Sequence, residues 1–244
     1  MSHQRENGDK KPFLAHLEEL RRRLIVCLSG IGFSFIITYS FKERIFEFLM
    51  KPYLKVMPDQ SGFIFTYITE AFVTYLKVAF VAAIFLASPL ILYEIWMFVA
   101  PGLYEHEKRY VYPFIFFGSI LFVSGALFSY FVVIPYVYRF FVSFAQEFVV
   151  PMPDLKGYMG LTLKMLILFG FVFELPLVMY YLGKAGVISS ETLKRKRKFA
   201  ILGIFIVSAF LTPPDVTSQI LLAFPLIGLY EISILILKVF GKKR

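Results

Sequence analysis

Long apolar runs alternate with short polar segments along this chain, and the runs are too long for strands. They occupy residues 24–41, 71–100, 111–138, 161–183, 199–212 and 220–237. About 18 apolar residues suffice for a helix to cross the ~30 Å hydrocarbon layer. The pattern predicts an all-α membrane protein: a bundle of six transmembrane helices forming one integral membrane domain over residues 1–244. No segment alternates with period two, which argues against a barrel. The fifth run has 14 residues, or ~21 Å of helix. It therefore crosses a thinned bilayer or forms a shallow hairpin with the sixth run. Between the runs, Phe46, Leu49, Tyr53 and Leu54 recur at helical spacing, as do Phe140, Phe144 and Phe148. These predict interfacial helices covering the ends of the bundle.

Composition agrees with this class. Residues are 58% hydrophobic and 18% charged, too few charges for the surface of a water-soluble domain. Charge then sets orientation. Counting Lys and Arg, 18 of 26 fall in the N-terminal segment, the segments after the second and fourth runs, and the tail. The opposite side has six: Lys42, Arg44, Lys51, Lys55, Arg139 and Lys156. Positive charge stays in the cytoplasm, so both termini are expected there. The +9 net charge then reflects topology and anionic lipid contact rather than nucleic-acid binding. The polar, charged start argues against a cleavable export signal. A single cysteine, Cys27, allows no internal disulfide. No internal repeat supports the paired-half plan of many secondary transporters.

Candidate chemistry is sparse. His3, His16 and His106 all lie outside the runs, and neither HExxH nor GxSxG occurs. An enzyme is not expected, nor a cofactor or metal. Ser119, Ser124 and Ser129 read as small residues for close helix packing. Residues 12–24 predict an amphipathic helix with Phe13, Leu17, Leu20 and Leu24 on one face. On it, Glu18 and Arg22, and Glu19 and Arg23, stand at i,i+4 spacing, worth a few tenths of a kcal/mol per pair. Glu174, just before Pro176, lies within the fourth run. An ionised carboxylate there costs several kcal/mol unless neutral, paired or hydrated. It is either a protonated group bonded to another helix or a functional contact. Lys77, Glu94, Lys164 and Glu231 lie nearer the ends of runs, where side chains snorkel.

The segment His16-Leu17-Glu18-Glu19-Leu20-Arg21-Arg22-Arg23-Leu24 resembles the N-terminal signature of the TatC family, the multispanning core of the twin-arginine protein translocase. Three further matches follow in order. They are Phe98-Val99-Ala100-Pro101-Gly102-Leu103-Tyr104 with His106-Glu107, Phe173-Glu174-Leu175-Pro176, and Leu211-Thr212-Pro213-Pro214-Asp215 with Ser218-Gln219. Glu94 stands where the family pattern leads us to expect an uncharged polar residue.

The resemblance implies a receptor for twin-arginine signal peptides of folded cargo, in the inner membrane of a prokaryote. It implies TatA-like and TatB-like single-span partners, self-association, and transport driven by the proton-motive force. The family's signal-recognition acids map onto Glu19 and Glu107, with Arg21 and Arg23 in the same site. Its intramembrane glutamate maps onto Glu174, and its sensitive outer-loop residues onto Pro52 and Asp215. Paired guanidinium groups call for planar carboxylate acceptors. Glu19 and Glu107 are therefore expected to approach each other from different segments. Rival readings are a proton-coupled carrier using Glu174 with Lys77 and Lys164, an intramembrane enzyme, and a passive scaffold.

Overall fold

The computed structural model describes residues 6–56, 67, 69–99, 111–143, 154–212 and 216–240. Every element named here is helical. They are α1 (Glu6–Ser40), α2 (Lys42–Leu54), α3 (Glu70–Val99), α4 (Val111–Phe128), a π-helical turn (Ser129–Val133), α5 (Ile134–Val142), α6 (Leu155–Phe173), α7 (Leu175–Lys184), α8 (Ser190–Leu211) and α9 (Val216–Phe240).

Five helical stretches are long and apolar enough to cross a membrane: His16–Ser40, Glu70–Phe98, Tyr112–Val142, Leu155–Lys184 and Val216–Phe240. They match the first, second, third, fourth and sixth runs. The fifth predicted span, residues 199–212, falls in α8, whose first half carries Lys194, Arg195, Lys196, Arg197 and Lys198. That charge keeps α8 outside the five.

The amphipathic helix of residues 12–24 continues into the first span, because α1 runs unbroken from Glu6 to Ser40. On its leucine face Leu17, Leu20 and Leu24 are exposed. The face that meets α3 carries His16, Arg23, Gly30 and Thr38. The His16 ring stacks on Phe98 with centroids 4.5 Å apart. The Thr38 hydroxyl donates to the Ala79 carbonyl at 2.8 Å. A charged seam won over the leucine face because guanidinium and carboxylate groups near a lipid surface must be paired. Only 11% of the apolar window of α1 is buried, against 39% for the other four, so α1 stands at the rim.

The helices touch where side chains are small. A Cβ on Gly125 would stand 2.2 Å from the Phe169 carbonyl oxygen, so α4 and α6 meet backbone to backbone there. Ser129 is fully buried and continues that face. Ser119 and Ser124 are half-buried at a groove beside Pro89, and the Ser119 Oγ is buried. The π-helical turn has a local cause. Pro135 offers no N–H to the Phe131 carbonyl, and the Ile134 N–H bonds instead to Ser129.

The main core lies at the end of the bundle far from the N-terminus. It joins Leu49 and Tyr53 of α2, Val78 of α3, Val133 and Val137, Met159 and Phe169 of α6, and Leu222 of α9. The Tyr158 hydroxyl donates to the Leu49 carbonyl at 2.7 Å, tying α6 to α2. Thus α2 is the expected covering helix. Two smaller clusters hold the other end: Leu92, Trp96, Phe114 and Tyr181, and Leu193, Tyr230, Ile234 and Leu237. Large side chains such as Phe33, Phe116, Phe210 and Phe224 are exposed, the arrangement of a bundle whose solvent is lipid.

Candidate functional site

Arg23 organises one end of the bundle. Its Nε and Nη2 donate to Glu19 Oε1 at 3.0 and 2.6 Å. Its Nη1 donates to Glu94 Oε2 at 3.0 Å. Helical spacing places Glu19 one turn before Arg23. The antiparallel packing of α1 on α3 brings up Glu94. The side chains of Arg23, Glu19 and Glu94 are 18%, 34% and 12% exposed, so the group is half withdrawn from solvent.

These residues line a cleft of about 600 Å³ with Glu18, Arg22, Val26 and Tyr93. Three carboxylates face two guanidinium groups there, leaving a net charge of −1. Arg23 shares two acids, so neither carboxylate is fully satisfied. An additional guanidinium can enter without leaving a charge uncompensated.

The i,i+4 pair of Glu19 and Arg23 is thus present. Glu18 and Arg22 form no ion pair among the described residues, and both are exposed, as is Arg21. Glu94 does not snorkel alone. Sequence reasoning missed its partnership with Arg23, although an acid near the end of an apolar run, facing a basic motif, was the available signal. Glu107 and Asp215 lie outside the described residues, as does the segment 101–110. The acid observed opposite Glu19 is Glu94.

The second site is Glu174, which occupies the junction between α6 and α7. Pro176 interrupts the hydrogen-bond ladder there, while the Val178 N–H still reaches the Glu174 carbonyl at 2.9 Å. The Glu174 residue is 6% exposed. Neither carboxyl oxygen has a hydrogen-bond partner among the described residues. Its Oε2 lies over Gly118 of α4, 3.2 Å from where a Cβ would stand, between Leu92 and Leu177. Lys77 and Lys164 are exposed on the outside of the bundle, which removes the in-membrane lysines that a carrier reading requires.

Pro52 lies in the last turn of α2 rather than in a loop, and it is buried. Glu70 was not singled out from sequence. It is buried, and its Oε1 accepts from the Lys156 N–H at 2.8 Å, holding the start of α6 against that of α3. An acid at the head of an apolar run was the signal.

Lipid-length helices, with a charged cleft at one end and a buried carboxyl between them, define a polytopic membrane protein. Comparison with known proteins gives the family. The family model described as "TatC: Sec-independent protein translocase protein (TatC)" matches residues 15–225. A Sec-independent protein translocase protein TatC of Desulforapulum autotrophicum is 48% identical over 97% of this chain and 87% of its own length. One from Escherichia coli K12 is 37% identical over 97% and 92%. A solved "Crystal Structure of Twin Arginine Translocase Receptor- TatC" superposes with a TM-score of 0.85 at 39% identity, over 92% of this chain and 98% of that one. The chain belongs to the TatC family. It is a protein translocase component, a transport subunit with several membrane-spanning helices.

Proposed function

We propose that this chain is the receptor and core subunit of the twin-arginine translocase. It binds twin-arginine signal peptides at its cytoplasmic face and organises the transport of folded proteins. The observation that carries the reading is the shared guanidinium: Glu19 and Glu94 hold Arg23 between them in a cleft of net charge −1. A signal-peptide arginine pairs with Glu19 as Arg23 moves toward Glu94, and Glu107 accepts the second arginine. Arg21 and Arg23 belong to the same charged turn, with Arg23 setting the positions of the acids. Arg is favoured over Lys because its planar fork meets carboxylates through two parallel bonds.

Glu174 offers a polar contact to a signal peptide or to the helix of a TatA-like or TatB-like partner. Its burial without a protein partner supports this role. Pro52 and Asp215 act at the outer face, and transport is driven by the proton-motive force. Both termini are cytoplasmic, and α8 is a further span, the fifth in chain order. Its 22 residues reach ~33 Å, with the basic run at its cytoplasmic end. The Gln219 amide donates to the Phe205 carbonyl, pairing α8 with α9 as a hairpin.

Crosslinking a twin-arginine peptide to the purified protein tests the reading, with a twin-lysine peptide as control. Glu19→Gln and Glu107→Gln should each reduce the arginine-specific product. Undiminished product in both variants refutes the site.

A further inference from the structure

Three cations converge on one cavity at the end of the bundle far from the N-terminus. Lys51 of α2, Lys55 just past its end and Arg139 of α5 line a space of about 300 Å³ with Pro52, Phe131 and Pro135. None of the three forms an ion pair among the described residues. The acids of α2, Glu43 and Glu47, are exposed and pair with none of them. Charge placement otherwise depletes this end of Lys and Arg, yet half of its six cations border this one cavity.

A second cavity, about 200 Å³ and apolar, lies next to it, between Val78, Val81 and Phe85 of α3 and Ala126 and Leu127 of α4. Both spaces share Phe48 and Tyr130 as a wall. Those rings stack with centroids 4.4 Å apart and planes 9° from parallel, and the Tyr130 hydroxyl donates to the Phe48 carbonyl. Tyr130 and Phe131 belong to the π-helical turn before Pro135. Such turns redirect side chains and are frequent at functional sites.

A cationic mouth, an aromatic wall and an apolar slot, in that order, match the parts of a lipid at the level of its headgroup and upper tail. We propose that this place binds an anionic glycerophospholipid, its phosphate among Lys51, Lys55 and Arg139 and one acyl chain in the slot. The guanidinium of Arg139 forks onto phosphate oxygens, while the two lysines act as point charges. The proposed function contributes only the leaflet, the outer one; the binding chemistry stands apart from signal-peptide recognition.

The test uses the full chain reconstituted in phosphatidylcholine vesicles, with phosphatidylglycerol carrying a photoreactive diazirine in its tail as probe. Labelled peptides should fall at residues 78–85 and 126–127, and unlabelled phosphatidylglycerol should compete. Each cation contributes roughly fivefold in affinity, so K51Q/K55Q/R139Q should weaken competition about a hundredfold. K51R/K55R/R139K should retain it. All three positions are exposed, so the neutral variant should fold. Ala82 also lines the slot, and Ala82→Phe, which fills it and spares the cations, should abolish labelling independently. Equal labelling by a diazirine phosphatidylcholine overturns the proposal, as does labelling that survives the neutral variant. Displacement by tail-free glycerol phosphate also overturns it, because the site would then take a free anion.

Discussion

Replacing Glu94 by Gln isolates what the shared Arg23 does. In the wild type Arg23 makes two contacts to Glu19 and one to Glu94. A hydrogen bond to a charged group is worth about 1.5–3 kcal/mol net. Exposure of Glu19 at 34% lets solvent screen the group and lowers that value. About 1 kcal/mol remains as the pull of Glu94 on Arg23. In Glu94→Gln that pull is lost and Arg23 rests on Glu19 alone, so an incoming guanidinium must displace a better-held rival. The cleft also goes from net −1 to neutral, which acts in the same direction. Affinity for a twin-arginine peptide should fall about fivefold, the equivalent of ~1 kcal/mol. Fluorescence anisotropy of a labelled peptide on the purified protein measures this, with thermal unfolding as a control for folding. At 1 M salt, where screening acts over ~3 Å, the difference should shrink. Wild-type or tighter binding by Glu94→Gln would refute the idea that Glu94 frees Glu19.

Other expectations follow from single contacts. Glu174→Ala should weaken crosslinks from partner helices to residues near Gly118 and Leu177 while leaving the protein in the membrane; disappearance of the variant from the membrane would mean the carboxyl serves structure alone. Gly125→Ala drives a Cβ to 2.2 Å from the Phe169 carbonyl, and the overpacking should cost about 1–3 kcal/mol. Gly203→Ala meets nothing within 4 Å, so its unfolding temperature in detergent should not fall. Glu70→Ala removes the acceptor at the start of α6 and should destabilise the fold by about 1–3 kcal/mol, detectable as a lower unfolding temperature. Depth-dependent labelling of single-cysteine variants across residues 199–211 should show a gradient from one face to the other; a uniform shallow signal would make α8 half of a surface hairpin.

Much of the fold was legible because lipid imposes one rule: backbone groups must be satisfied within the segment. Apolar length alone then locates α3, α4, α6 with α7, and α9. The covering helix α2 was legible from the spacing of Phe46, Leu49 and Tyr53. What stayed hidden depends on pairing between helices. Nothing local to Glu94 names Arg23, 71 positions away, and nothing local to Glu70 names the Lys156 N–H. The periodicity of Leu17, Leu20 and Leu24 does not say where that face points, because apolar periodicity identifies a buried face in water, whereas beside lipid such a face can stay outermost. Glu174 was legible as an oddity from composition, but its lack of a partner is a property of the packed helices.

The uneven distribution of the core has a mechanical consequence. One large cluster clamps α2, α3, α5, α6 and α9 together at the far end, while two small, separate clusters hold the end bearing Glu19 and Glu94. A body built this way behaves like tongs, with a stiff pivot and two compliant arms. Amide exchange should run slower around Val133–Val137 and Met159–Phe169 than around Trp96 and Tyr181. A peptide wedged between the arms would spread them without disturbing the pivot.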